Sequence, residues 1–511
     1  MNTRLVESKK IIRNTINRVQ YLKQEGNSFI FKTEGRSYPK KIQELLPRNK
    51  VQEADKFNGF LQIEILSDTI FRIRYKEADS IEENETPMVI GTFEGPQNID
   101  ISILKDKIEL KTNKIKINII LYPFRVQVNN FNEKKLCGIG GFEKHDFRQW
   151  DSFNTGICYS QSDKSPIAVE LFDLDPHEAI YGFGEKFTRL NKVGQTIDIL
   201  TEEASGTMSP RTYKPIPFFV STKGYGVFFN HSSLMTCWVG SLSSGDIQIA
   251  IEDNFLDYFV ILGDIKEILS QYTDITGKDV VPPKWSFGYW QSKISYKSAE
   301  ETLKIARKLR ENKIPCDIIH LDTYWFKEDW YCDLEMDKER FPDPEAYFNE
   351  MAKMGFKISL WQLPYIPEGS QYFEELKAVD GFVKTRDGEI YDTGIIFSRE
   401  KRIAACIDFT NPKAVEVYQK WIGRLLKLGA KVIKVDFGEQ APIDGIYHNG
   451  KTGRRMHNLY PLLYNQAAAT ITKEIHGIGF IWARSAWAGS QRYPVHWGVT
   501  AQLTGLILYQ P

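Results

Sequence analysis

Net charge is the first thing this 511-residue chain lacks: 66 Lys and Arg offset 66 Asp and Glu, leaving +0 at neutral pH. Such a balance implies no general electrostatic pull toward nucleic acid or an anionic membrane. The six cysteines (Cys137, Cys158, Cys237, Cys316, Cys332 and Cys406) include no CxxC pair and no regular spacing. That pattern favours free buried thiols in a reducing compartment over disulfides or zinc. Lys9, Lys10, Arg13 and Arg18 near the N-terminus are not followed by an apolar segment, so no signal peptide is expected. No apolar run approaches the length of a membrane span. None of the eight histidines forms an HxH at a strand end, and His320 falls inside a strand, which disfavours a metal-dependent barrel hydrolase. The expectation is a soluble cytoplasmic protein without nucleic-acid or membrane partners; homo-oligomerisation stays open.

What the chain does have is aromatic residues, 13% of the total, which suit large cores and the stacking of pyranose faces alike. Its length calls for two or more domains. Residues 1–262 read as an antiparallel β-sandwich. Runs such as Gly59–Leu66, Ile108–Thr112 and Gly226–Phe229 are rich in β-branched and aromatic residues and are punctuated by Gly, Asn and Asp. A helical stretch, Ile265–Tyr272, leads to Pro282-Pro283, so 263–283 is read as a linker and boundary.

From 284 to 511 strands and helices alternate. Strands are expected at Trp285–Gln291, Cys316–Asp322, Phe356–Trp361, Val432–Asp436 and Phe480–Arg484. Helices are expected at Ser298–Glu311, Pro344–Met354, Pro412–Leu428 and Leu463–Ile475. Repeated βα units whose strands finish in polar or aromatic residues favour a (β/α)8 barrel, incomplete in this chain. The stretch 364–402 is too long for a simple connection and reads as an insertion.

The sharpest signal is Lys434-Val435-Asp436-Phe437-Gly438-Glu439, which closes the apolar run Ala430–Ile433 with a carboxylate. Charge at the end of a buried strand is costly, and in a barrel that end faces the active site. Asp322, Trp361 and Arg484 stand at three other strand ends. Each has a structural reading: Asp322 as a turn or helix cap, Asp436 as an ion pair with Lys434, Arg484 as a salt bridge within the barrel. Together, on separate strands, they point to a site.

Several ordered motifs make the chain resemble glycoside hydrolase family 31 over roughly Glu170 to Trp497. They are Tyr181–Phe187, Pro282–Gly288, Phe341–Pro344, Lys434–Glu439, Ala483–Ser485 and Ala488–Gly498. The resemblance implies a mutarotase-like β-sandwich, a (β/α)8 barrel and retaining hydrolysis of α-glycosides without metal or organic cofactor. It implies Asp436 as the nucleophile and Lys434 and Arg484 as contacts to sugar hydroxyls, the two cations favouring its ionised form. Asp322, Thr323 and Tyr324 would line the subsite of the non-reducing sugar, with Trp361 as its aromatic wall. The Lys-x-Asp-Phe-Gly-Glu form resembles the family's α-xylosidases more than its α-glucosidases, so α-xylosyl ends are favoured over α-glucosyl. The partner is then an oligosaccharide or small α-glycoside.

The pattern breaks at the acid. The family's His-Trp-Gly-Gly-Asp supplies the proton for the leaving oxygen, whereas this chain reads His496-Trp497-Gly498-Val499-Thr500. Threonine cannot serve as an acid near neutral pH. The chain ends at Pro511 after five expected strands, which predicts unpaired barrel edges and a truncated form without useful activity. A deleted base just after the Gly498 codon would account for the break, because one restored G turns GTG-AC into GGT-GAC, Gly-Asp. A sugar-binding pseudoenzyme is the competing expectation.

Overall fold

The computed structural model describes residues 11–39, 56–81, 84–140, 154–204, 209–395 and 402–498. The chain divides into two compact units. The first comprises Met1–Leu200 and Pro215–Gly277; the second comprises Thr201–Lys214 and Lys278–Pro511.

In the first unit every strand pairing is antiparallel. Outer strands alternate: along Lys107–Lys111 and Phe124–Asn130 the odd-even burial pattern leaves one face toward water. Inner strands Tyr225–Phe229 and Met235–Val239 are buried at every position, so both their faces are covered. Phe172 sits at the centre of this core, edge-on to Phe219, Phe229 and Tyr258 at 5.7–6.3 Å. The stretches expected as strands here appear as Lys56–Ile65, Lys107–Lys111 and Tyr225–Phe229. All six cysteines are buried.

The second unit holds a five-stranded parallel sheet: β1 (Trp290–Lys293), β2 (Ile318–Leu321), β3 (Lys357–Gln362), β4 (Ala430–Val435) and β5 (Trp482–Ala483). The crossovers are α1 (Ala299–Glu311), α2 (Pro344–Lys353), α3 (Pro412–Leu428) and α4 (Tyr460–His476). Their starts follow from local chemistry. Ser298 accepts from the Glu301 amide, while Asp343 and Asn411 cap helices whose first residue is proline. The sheet curls, because Trp290 on its first strand and Trp482 on its last stand 5.0 Å apart, tilted ring to ring. It is thus part of a barrel wall.

One expected strand is corrected. Lys284–Phe287 forms a 3-10 turn, and the strand starts only at Trp290. The reason is local: the Ser286 side chain and amide both bond the Pro283 carbonyl, tightening a turn after the proline pair. In the stretch 364–402 a short helix covers Gln371–Ala378, and Tyr365–Pro367 pairs with Ala404–Cys406 just beyond it. Val499 and Thr500 lie outside the described residues.

Candidate active site

Parallel register decides which side chains meet. His320 lies opposite Ser359, Trp361 opposite Lys434, and Lys434 opposite Trp482. Side chains alternate along a strand, so residues two further on share the same face. Asp322, Asp436 and Arg484, each two residues beyond one of these, therefore project from that face at the C-terminal ends of β2, β4 and β5. Four strands deliver two such residues each, and a charged cluster results.

Asp436 is held at its centre. The indole nitrogen of Trp361 donates to Oδ2 at 2.6 Å, and the Phe437 amide donates to Oδ1 at 2.9 Å. Phe437 itself adopts φ 58°, a left-handed conformation uncommon for a bulky residue, directly after the carboxylate that its N–H serves. Lys434 Nζ stands 3.5 Å from Oδ2 and Arg484 Nη1 3.7 Å from Oδ1. These cations are near enough to act on the charge.

Asp322 is bound more tightly. Its Oδ2 accepts from His320 Nε2 at 2.7 Å and Lys434 Nζ at 3.0 Å, and its Oδ1 from the Thr323 amide at 3.1 Å. Burial would push this carboxyl up, but the His320 bond and the Lys434 charge together hold it well below the usual carboxylate range. Thr323 turns its hydroxyl to Asp329 and Ser295. Tyr324 stacks beneath the Arg340 guanidinium, 3.7 Å from its ring, and no ion pair or hydrogen bond among the described residues brings it to the carboxylates.

Trp361 has no exposed surface. An aromatic wall was expected of it; in the structure its ring is enclosed and its indole N–H donates to Asp436. Half-buried rings are supplied instead by Trp330, which stands edge-on to Trp361 and Phe437, and by Trp482 and Trp497. The Lys434 ammonium lies over these last two rings at 5.1 and 5.0 Å.

Around Arg484 the structure adds residues that the sequence did not single out. Its Nη2 contacts Glu439 at 2.5 Å and also Glu203, while its guanidinium lies over Tyr213 at 4.0 Å and Phe437 at 4.2 Å. Tyr213 in turn donates to Glu203 at 3.2 Å. Burial pushes Glu439 up to about 8 against the pull of Arg484, with Glu203 adding to the rise. Arg484 is itself raised, since Glu439, Asp436 and Glu203 together outweigh the cost of burying it. Glu439 carried a signal, as part of the strand-end motif; Glu203 and Tyr213 lie in the 201–214 excursion and carried none. His496, half-exposed beside Asn465, is pushed down to about 3, chiefly by desolvation with Lys214 adding to it, and is neutral at ordinary pH.

Residues 279–502 match the profile described as the glycosyl hydrolases family 31 TIM-barrel domain, and 60–237 that of the glycosyl hydrolase 31 N-terminal galactose mutarotase-like domain. An α-xylosidase of Emericella nidulans is 37% identical over 409 residues, 78% of this chain and 51% of that protein. The α-xylosidase XylQ of Lactiplantibacillus pentosus is 38% identical over 313 residues, 60% of this chain and 40% of that one. The chain thus spans about half the length, or less, of these relatives. Among solved structures, a Flavobacterium johnsoniae GH31 dextranase complexed with isomaltotriose superposes with a TM-score of 0.79 at 24% identity. That match covers 95% of this chain and 56% of the dextranase. A soil-metagenome GH31 α-xylosidase complexed with xylose gives 0.74 at 20% identity, covering 93% and 66%.

Proposed function

Because the chain belongs to glycoside hydrolase family 31, we propose that its strand-end cluster acts on α-glycosides with retention, Asp436 being the nucleophile. The observation that carries this is the geometry of Asp436. A carboxylate fixed by Trp361 and by the next amide keeps a free lone pair on each oxygen, with two cations close by. Attack at the anomeric carbon forms a glycosyl ester, splitting one hard displacement into two easier ones. Asp322, Lys434 and Arg484 hold the hydroxyls of the non-reducing sugar, and Trp330, Phe437, Trp482 and Trp497 offer ring faces to its C–H surfaces.

The substrate class is a terminal α-xylosyl residue in preference to α-glucosyl. Lys434 in the strand-end motif and the two α-xylosidase relatives support this choice. No helix among the described residues is long and apolar enough to cross a membrane. A cytoplasmic location belongs to the same reading, supported by six buried thiols.

Thr500 favours a second reading, a sugar-binding protein without turnover. The two part company over substrates whose leaving group needs no protonation. With α-xylosyl fluoride the first step releases fluoride without an acid, so a nucleophile at Asp436 still forms its ester. A pure binding site gives reversible association and no adduct. Mass spectrometry after incubation with α-xylosyl fluoride distinguishes them: an adduct supports the hydrolase reading, and its absence in a chain that binds xylose supports the second.

A further inference from the structure

The two carboxylates at the heart of the cluster differ in what they leave open. A carboxylate offers about four acceptor positions, two on each oxygen. On Asp322, Oδ2 is filled by His320 Nε2 at 2.7 Å and Lys434 Nζ at 3.0 Å, and Oδ1 takes the Thr323 amide at 3.1 Å. Among the described residues nothing fills the one acceptor position that remains, on Oδ1.

His320 is well placed to hold this state. Its ring is 1% exposed, and its other nitrogen, Nδ1, meets the Ser359 hydroxyl at 3.0 Å across the paired strand. An ionised Asp322 can only accept, so Nε2 carries the proton; in the neutral ring that burial favours, Nδ1 accepts from Ser359. Trp482 stands edge-on to the ring at 4.9 Å and limits its rotation. Burial lowers the pKa of the imidazole, and Lys434 adds to the lowering against the pull of Asp322, in keeping with a neutral ring.

We infer that His320 is a positioning residue that, with Lys434, saturates Oδ2 of Asp322, so that Asp322 presents a sugar with a single acceptor and thereby selects pyranosides that lack a C6 hydroxyl. This rests on the reading of Asp322 as a contact to the non-reducing sugar. A pentopyranoside brings one hydroxyl to Oδ1 and satisfies it. A hexopyranoside adds a C6 hydroxyl, for which Asp322, its Oδ2 filled and its Oδ1 taken up by the first hydroxyl, has no lone pair left. A buried hydroxyl without a partner is unfavourable, and about tenfold weaker binding is the expected consequence.

The test uses the 511-residue chain, methyl α-xyloside and methyl α-glucoside, with affinities read by calorimetry. The wild-type chain should bind the xyloside about tenfold more tightly. His320→Phe frees one acceptor position on Oδ2 and should bring the two affinities to within about twofold, whereas His320→Gln restores a donor and should keep the preference. Imidazole 15N shifts of the wild-type chain should show a neutral ring protonated at Nε2. An unchanged xyloside-to-glucoside ratio in a folded His320→Phe chain, or a ring protonated at Nδ1, overturns the inference. A wild-type chain that binds neither sugar overturns the α-glycosidase reading instead, and the 15N shifts still decide whether His320 holds Asp322.

Discussion

In the first unit Asp257 is wholly buried, and Arg72 donates to both of its oxygens at 2.7 and 2.8 Å while Asn84 and Asn230 donate to Oδ2 at 2.9 and 2.8 Å. In the second, Asp436 is almost as deeply buried, yet among the described residues its nearest cations stand back at 3.5 and 3.7 Å and each oxygen accepts a single hydrogen bond. Glu170 repeats the first arrangement: Thr155, the Leu171 amide and Tyr258 close it off, and burial raises it to about 7. Burying a charge is costly in both places. The first unit answers with direct donors to both oxygens of each group, charged at Asp257 and neutral at Glu170. The second leaves acceptor capacity uncommitted, which is of use to a reaction and of little use to stability.

That contrast can be broken most sharply at Asp436 itself. In any preparation that turns over p-nitrophenyl α-xyloside, Asp436→Ala should lower the rate about 10⁴-fold or more while leaving the melting temperature nearly unchanged. Asp257→Ala should do the reverse. It removes the buried carboxylate that accepts from Arg72, Asn84 and Asn230, and should cost the first unit about 3–5 kcal/mol in urea denaturation. An Asp257 variant as stable as the parent would erase the distinction between the two kinds of buried carboxylate.

Glu439 sharpens it in a third way. With Glu439 raised to about 8, the folded chain keeps a proton that the unfolded chain has released above about 4.5, the group's ordinary value. Stability tied to Glu439 is therefore full below about 4.5 and is lost as pH rises through about 8. Glu439→Gln should flatten that dependence, a change on the order of a few kcal/mol across the window. Melting curves at several pH values check it, and an unchanged slope would show that Glu439 shares no such proton. The smallest effect is expected at Asp322: Asp322→Ala should weaken methyl α-xyloside binding about 10- to 100-fold, as loss of a charged hydrogen bond does.

How much of this was legible in the sequence depended on periodicity. Lys434 and Asp436, two apart after an apolar run, announced a strand end and its inward face, and Asp322 and Arg484 could be placed in the same way. The pattern carries position but not contact. Trp361 stood where an aromatic wall was expected, and nothing in its spacing told that its indole N–H would be spent on Asp436. His320 was weighed only as a metal ligand, although its place two residues before Asp322 put both on one face. Glu203 and Tyr213 belong to an excursion, Thr201–Lys214, that the second unit takes from the middle of the β-rich region, and no local period marks such a crossing. The start of β1 was misplaced for a similar reason, since the aromatic run after Pro283 suits a strand until the proline carbonyl draws in Ser286.

The central claim, that Asp436 is an uncommitted nucleophile, is tested most directly by peptide mapping after exposure of the 511-residue chain to α-xylosyl fluoride. The leaving fluoride needs no acid, and Thr500 cannot act as the base for the hydrolytic step, so the ester should accumulate. A xylosyl adduct is expected on the peptide carrying Asp436, absent from Asp436→Ala. An adduct on a different carboxylate, or one that persists in Asp436→Ala, would contradict that claim.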